Sequence, residues 1–167
     1  GNVLAGLRVG AGEGLAALTE TDDDQLPTGE LAEVEGTMMD FRESKQIGRD
    51  IDKPFRAIID GIGYDNNFCL YKKDFTLQEA AVLEHKESGR VLEVYTDLPG
   101  IQLYCGGWLA KQGNPGKANG KVTYRRGAAL ETQFYPDTVH FADVFPSRFV
   151  KANEEFKTTT EFRFSVK

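Results

Sequence analysis

Few side chains in these 167 residues are reactive by type, and for most of those the neighbours argue against chemistry. His85 stands between Glu84 and Lys86 ahead of a glycine-containing turn, the setting of a solvated strand end. His140, between Val139 and Phe141, reads as a structural histidine. Cys69 and Cys105 each lie in an apolar run, without the paired spacing of a metal site or a disulfide framework, so no metal is expected. The run Asp22-Asp23-Asp24 has no turn glycine and no closing glutamate at calcium-loop spacing, which leaves a solvated acidic turn. The run Gly10-Ala11-Gly12-Glu13-Gly14 lacks the strand-to-helix context of a dinucleotide loop, and residues 1–14 read as a flexible lead-in. Three further polar groups, one amide and two carboxylates, can donate or accept hydrogen bonds. Read alone, Asp65 is a turn cap, Gln102 a surface amide and Glu131 an exposed strand residue.

These groups must be positioned by strands. From Ala81 onward, Ala81 and Leu83, then Leu92 and Val94, alternate with less apolar neighbours, and Glu87-Ser88-Gly89-Arg90 supplies a hairpin turn between them. Pro99-Gly100 offers the residues of a type II turn leading into the alternating run Ile101-Gln102-Leu103-Tyr104-Cys105. Near the C-terminus, Phe162, Phe164 and Val166 share one face and Glu161, Arg163 and Ser165 the other, which predicts a half-buried strand. Residues 46–59 carry Gly48 and Pro54 and predict no long helix. Tyr104 and Trp108 carry large rings, which in β proteins more often fill the core. The fold class is mainly β, with a sandwich favoured over a small barrel.

Composition narrows the partners. With 40% hydrophobic and 28% charged residues the chain has enough apolar content to fold as one domain. A net charge of −6 without a dense Lys/Arg run argues against nucleic acid. No apolar stretch approaches the roughly 18 residues needed to span a bilayer, and the cysteine usage suits a reducing, cytoplasmic setting.

Four collinear stretches carry a resemblance. They are Leu26-Pro27-Thr28-Gly29-Glu30 with Gly36-Thr37 and Asp40-Phe41; Gly63-Tyr64-Asp65-Asn66-Asn67-Phe68; residues 88–104 with Pro99-Gly100-Ile101-Gln102; and Leu130-Glu131-Thr132-Gln133 with Pro136-Asp137, closed by residues 154–160. In this order and at these separations the chain resembles the C-terminal portion of the aldose 1-epimerase (galactose mutarotase) family over residues 26–167, with residues 1–25 a divergent lead-in.

The resemblance implies a partial antiparallel β-sandwich of the galactose mutarotase type, acting on hexose anomers without a cofactor. It assigns Glu131 as general base and Asp65 and Gln102 as substrate contacts. Interconverting α and β anomers needs a base for the anomeric hydroxyl and an acid for the ring oxygen. In the family the acid is a histidine upstream of the proline-threonine-glycine turn or in the segment beyond it, and no histidine here precedes His85. The resemblance therefore implies completion by a missing N-terminal half or a protein partner. The alternatives are an inactive structural subunit and a carbohydrate-binding module.

Overall fold

In a computed structural model, which describes residues 5–10, 17–70, 74–109, 120 and 122–167, strands occur along most of the chain. They are β1 (Gly6–Val9), β2 (Ala17–Thr21), β3 (Pro27–Glu33), β4 (Lys45–Gln46), β5 (Asp65–Cys69), β6 (Gln78–His85), β7 (Arg90–Thr96), β8 (Gly100–Tyr104), β9 (Ala129–Gln133) and β10 (Thr160–Val166). They pair into two five-stranded sheets, the first in the order β10-β7-β6-β1-β4 and the second in the order β3-β2-β5-β8-β9. Every pairing is antiparallel. Helical structure among the described residues is brief: a 3-10 turn at Ile47–Arg49 and α1 at Arg56–Asp60. Neither is long and apolar enough to cross a membrane.

Period-two alternation decides which side chains meet. The β6–β7 hairpin turns as expected, with Gly89 at φ 67°, and places Ala81 opposite Val94 and Leu83 opposite Leu92 on the inner face. From the second sheet, Leu18, Phe68, Ile101, Leu103 and Leu130 join the same core. Phe41 bridges Tyr64 and Phe68 through edge-to-face contacts at centroid distances of 5.1 and 5.8 Å. Each apolar side chain so buried contributes about 1.5–3 kcal/mol relative to exposure, which makes the inter-sheet layer the main support of both outer faces.

Three expectations change. The stretch read as lead-in contains β1, which runs between β6 and β4 with Leu7 fully buried; a four-residue strand is too short for its period to register in the sequence. Gly100 does not occupy the left-handed region and begins β8 directly, so the type II turn does not form. Strand β10 forms as expected, but its apolar side chains Phe162, Phe164 and Val166 are 50%, 79% and 74% exposed. Phe162 pairs with Val94 and Phe164 with Leu92, so they face the core side at the edge of the first sheet, with little laid over them. The acidic turn is as expected: the Asp22 carboxylate accepts the Asp24 and Leu26 N–H groups in solvent. Of the glycine run, residues 11–14 lie outside the described residues.

Candidate functional site

The outer face of the second sheet carries a row of polar side chains, several of them partly or fully buried. Strand β5 turns Phe68 inward and Asp65 and Asn67 outward; β8 turns Ile101 and Leu103 inward and Gln102 outward; β9 turns Leu130 inward and Glu131 and Gln133 outward. Register aligns them. Asn67 lies opposite Gln102 and Gln102 opposite Glu131, while Gly100 lies between Cys69 and Gln133. Asp65, Gln102 and Glu131 therefore share one face, with β5 and β9 two strand spacings apart, about 10 Å.

Hydrogen bonds tie this face together. Gln102 Nε2 donates to Asp65 Oδ1 at 2.8 Å. Gln133 Nε2 donates both to Asn67 Oδ1 at 3.0 Å and to Gln102 Oε1 at 3.2 Å. Gly100 makes room for this: a Cβ there would lie 2.5 Å from Asn67 Oδ1 and 3.1 Å from the Tyr135 ring. At that end the face is closed by Ala17, Cys69, Tyr135 and Phe145. At the other end a cleft of about 180 Å³ opens, lined by Thr19, Thr21, Asp60, Asp65, Asn67 and Gln102 among others.

The electrostatics follow from burial. Burial raises the Asp65 carboxyl above its ordinary pKa, and the hydrogen bond from Gln102 opposes that rise. The Cys105 thiol just beyond β8 is pushed up to about 12 and the Cys69 thiol up to about 11, in both cases chiefly by burial, so neither is a ready nucleophile. Glu131 is different. It stands exposed on the edge strand, outside the cleft lining, and no described hydrogen bond or ion pair engages its carboxylate. An unengaged carboxylate next to a hydrogen-bonded amide and a half-buried carboxyl can take a proton from a hydroxyl lying across the face.

Of the residues singled out from the sequence, Asp65, Gln102 and Glu131 come together here, and Tyr104, the register partner of Asp65, joins their face. The histidines do not. His85 ends β6 in the other sheet with Nδ1 2.9 Å from Ser88 Oγ, and His140 is exposed and paired with Asp137. No group of three or more potential metal ligands occurs among the described residues. Sequence reasoning did not single out Asn67 or Gln133. Both lie two residues from a chosen carboxylate, and the strand period places such residues on the same face.

Residues 13–163 match the family model for aldose 1-epimerase. The chain is 40% identical to the galactose mutarotase of Bos taurus over 151 residues, covering 90% of this chain and 42% of that protein. It is 32% identical to the aldose 1-epimerase of Escherichia coli over 146 residues, covering 86% of this chain and 41% of that one. The chain thus spans about two fifths of the length of these relatives. Among solved structures, an aldose epimerase homologue from C. elegans superposes with a TM-score of 0.78 at 24% identity, covering 98% of this chain and 46% of that chain. Galactose 1-epimerase from Lactobacillus acidophilus superposes with a TM-score of 0.70 at 23% identity, covering 99% and 45%. Both share the fold.

Proposed function

The chain belongs to the aldose 1-epimerase family, and on that premise we propose that the outer face of its second sheet is the sugar-binding floor of a hexose mutarotase. Asp65 and Gln102 hold ring hydroxyls, and Glu131 accepts the proton of the anomeric hydroxyl as the C1–O5 bond opens. An acid delivers a proton to O5 at the same time; rotation about C1–C2 and reclosure, with the two groups exchanging roles, give the other anomer. The observation that carries this reading is the row Asn67–Gln102–Glu131, set by strand register, with Asp65 hydrogen-bonded to its middle member. A ligand lying over Gln102 is within reach of both carboxylates.

The acid comes from elsewhere in the working enzyme, supplied by a histidine-bearing segment or a partner chain. Two features support this. The cleft of about 180 Å³ is smaller than the roughly 300–1,000 Å³ of sites that enclose a drug-sized ligand, so it suits one face of a sugar and leaves the other open. The exposed Phe162, Phe164 and Val166 offer an apolar seat to further polypeptide. The alternative, an inactive mutarotase-like subunit, keeps the same seat and loses the chemistry. Polarimetry of freshly dissolved α-galactose or α-glucose separates them. In the completed assembly, Glu131→Gln keeps the shape and removes the proton acceptor, so the catalysed rate falls by about 100-fold or more with a much smaller change in sugar affinity. An unchanged rate rules out Glu131 as the base, and no catalysis by the unsubstituted assembly favours the inactive subunit.

A further inference from the structure

A primary amide has two ends of nearly equal shape and opposite hydrogen-bonding sense, so what surrounds it decides which end faces which way. Gln102 sits between Asp65 and Gln133. Its N–H group is on Asp65 Oδ1 at 2.8 Å and its carbonyl receives Gln133 Nε2 at 3.2 Å. An ionised Asp65 can only accept, which fixes one end of the relay. At the other end, the two hydrogens of Gln133 Nε2 serve two carbonyl oxygens, those of Gln102 and Asn67. Donation therefore runs one way, from Gln133 through Gln102 to Asp65.

Asn67 shows that this direction is maintained against an opposing preference. It is 3% exposed, and its Nδ2 is buried without a partner. An unpaired buried donor costs about 1–3 kcal/mol, and turning the Asn67 amide over is the obvious relief. That turn would set Nδ2 against Gln133 Nε2, donor against donor. Relieving that clash means turning Gln133, which sets its carbonyl against that of Gln102; turning Gln102 in response puts a carbonyl oxygen against the Asp65 carboxylate. The orphan donor on Asn67 is what remains when the polarity at Asp65 is kept. The bare backbone of Gly100 allows the geometry, since a Cβ there would collide with Asn67 Oδ1.

We propose that Gln133 and Asn67 are positioning residues that lock the Gln102 amide with its N–H on Asp65, so that Asp65 presents its second carboxylate oxygen to the ligand as an acceptor. For the sugar itself this rests on the functional reading above; for the polarity of the relay it does not. The groups around Asp65 leave Gln102 as the main influence that keeps it ionised. Tyr104 and Cys105 come from β8 and its end, Asp60 from α1 and Glu131 from β9, none of them a cation. Arg125, packed against the turn between α1 and β5, is engaged by Asp52 and the Ile62 carbonyl.

The test follows the Asp65 carboxyl carbon and the Gln102 side-chain amide by NMR as pH is varied, in the full chain. Gln133→Met keeps length and neutrality and removes the donor; Gln133→Glu can only accept when ionised. The account expects the Asp65 titration midpoint to move up in Gln133→Met and further up in Gln133→Glu, with sugar binding about 3- to 10-fold weaker at neutral pH in Gln133→Met. It also expects the Gln102 amide resonances of the unsubstituted chain to follow the Asp65 titration, a readout that does not depend on either variant folding. An unmoved midpoint in folded Gln133→Met, or Gln102 resonances that ignore Asp65, overturns the proposal. A midpoint that moves as expected in a chain that binds no sugar leaves the relay standing and removes the functional reading.

Discussion

The two sheets are finished in opposite ways. On the outer face of the second, polar side chains are drawn into cover: Asn67 and Thr19 are buried, and Asp65, Gln102 and Gln133 are half-buried and hydrogen-bonded to one another or to Asn67. At the edge of the first, β10 leaves Phe164 79% exposed. A sheet that buries amides in a network is shaped for a ligand that makes hydrogen bonds, and a strand that exposes phenylalanine on its core side is shaped for apolar cover. Both regions rest on the same inter-sheet core. They differ in what is laid over them.

Three substitutions probe that contrast. The largest effect is expected at the shared support. Leu103 is fully buried beneath the face that carries Gln102, and Leu103→Ala should lower the unfolding free energy by about 2–5 kcal/mol in urea denaturation. A loss under about 1 kcal/mol would mean that the core does not hold the polar face. On β10 the account expects a split result. Phe164→Ala should change the stability of the chain alone by no more than about 0.5 kcal/mol, and should cost about 3 kcal/mol or more once the face is covered in an assembly. A large loss in the chain alone would show that a second copy already covers the strand.

The smallest effect is one of sign. Because burial raises the Asp65 pKa, the folded chain holds a proton that the unfolded chain releases, and stability falls as pH rises from the ordinary value of 3.8 toward the folded one. Asp65→Asn should therefore make the chain more stable at neutral pH, with the gain vanishing below about pH 3.8, while sugar binding weakens. Thermal melts at several pH values read this directly. A destabilised variant at pH 7 would show that the network, rather than the burial of charge, dominates Asp65.

What the sequence disclosed follows the same division. The β6–β7 hairpin was legible because its apolar alternation is interrupted by Gly89, which does adopt positive φ. Asp65, Gln102 and Glu131 were legible through the family resemblance, and register then brings them to one face. The exposure of Phe162 and Phe164 was not legible, because period-two patterning tells which residues share a face and says nothing of what lies opposite. Gly100 was read as a turn residue when its role is clearance beside Asn67, a contact between strands distant in sequence. The amide relay was hidden for the same reason: its polarity depends on three strands meeting in one register.

The central claim is that a hexose lies across β5, β8 and β9. Its most direct test is a titration of the chain with galactose, following side-chain and backbone resonances by NMR. The account predicts saturable shifts centred on the Gln102 amide and the Asp65 and Glu131 carboxyls, with β10 and the acidic turn at Asp22 unmoved. Saturable shifts centred anywhere else, or none at these three residues at sugar concentrations of about 100 mM, well above the millimolar range of weak binding, would contradict it.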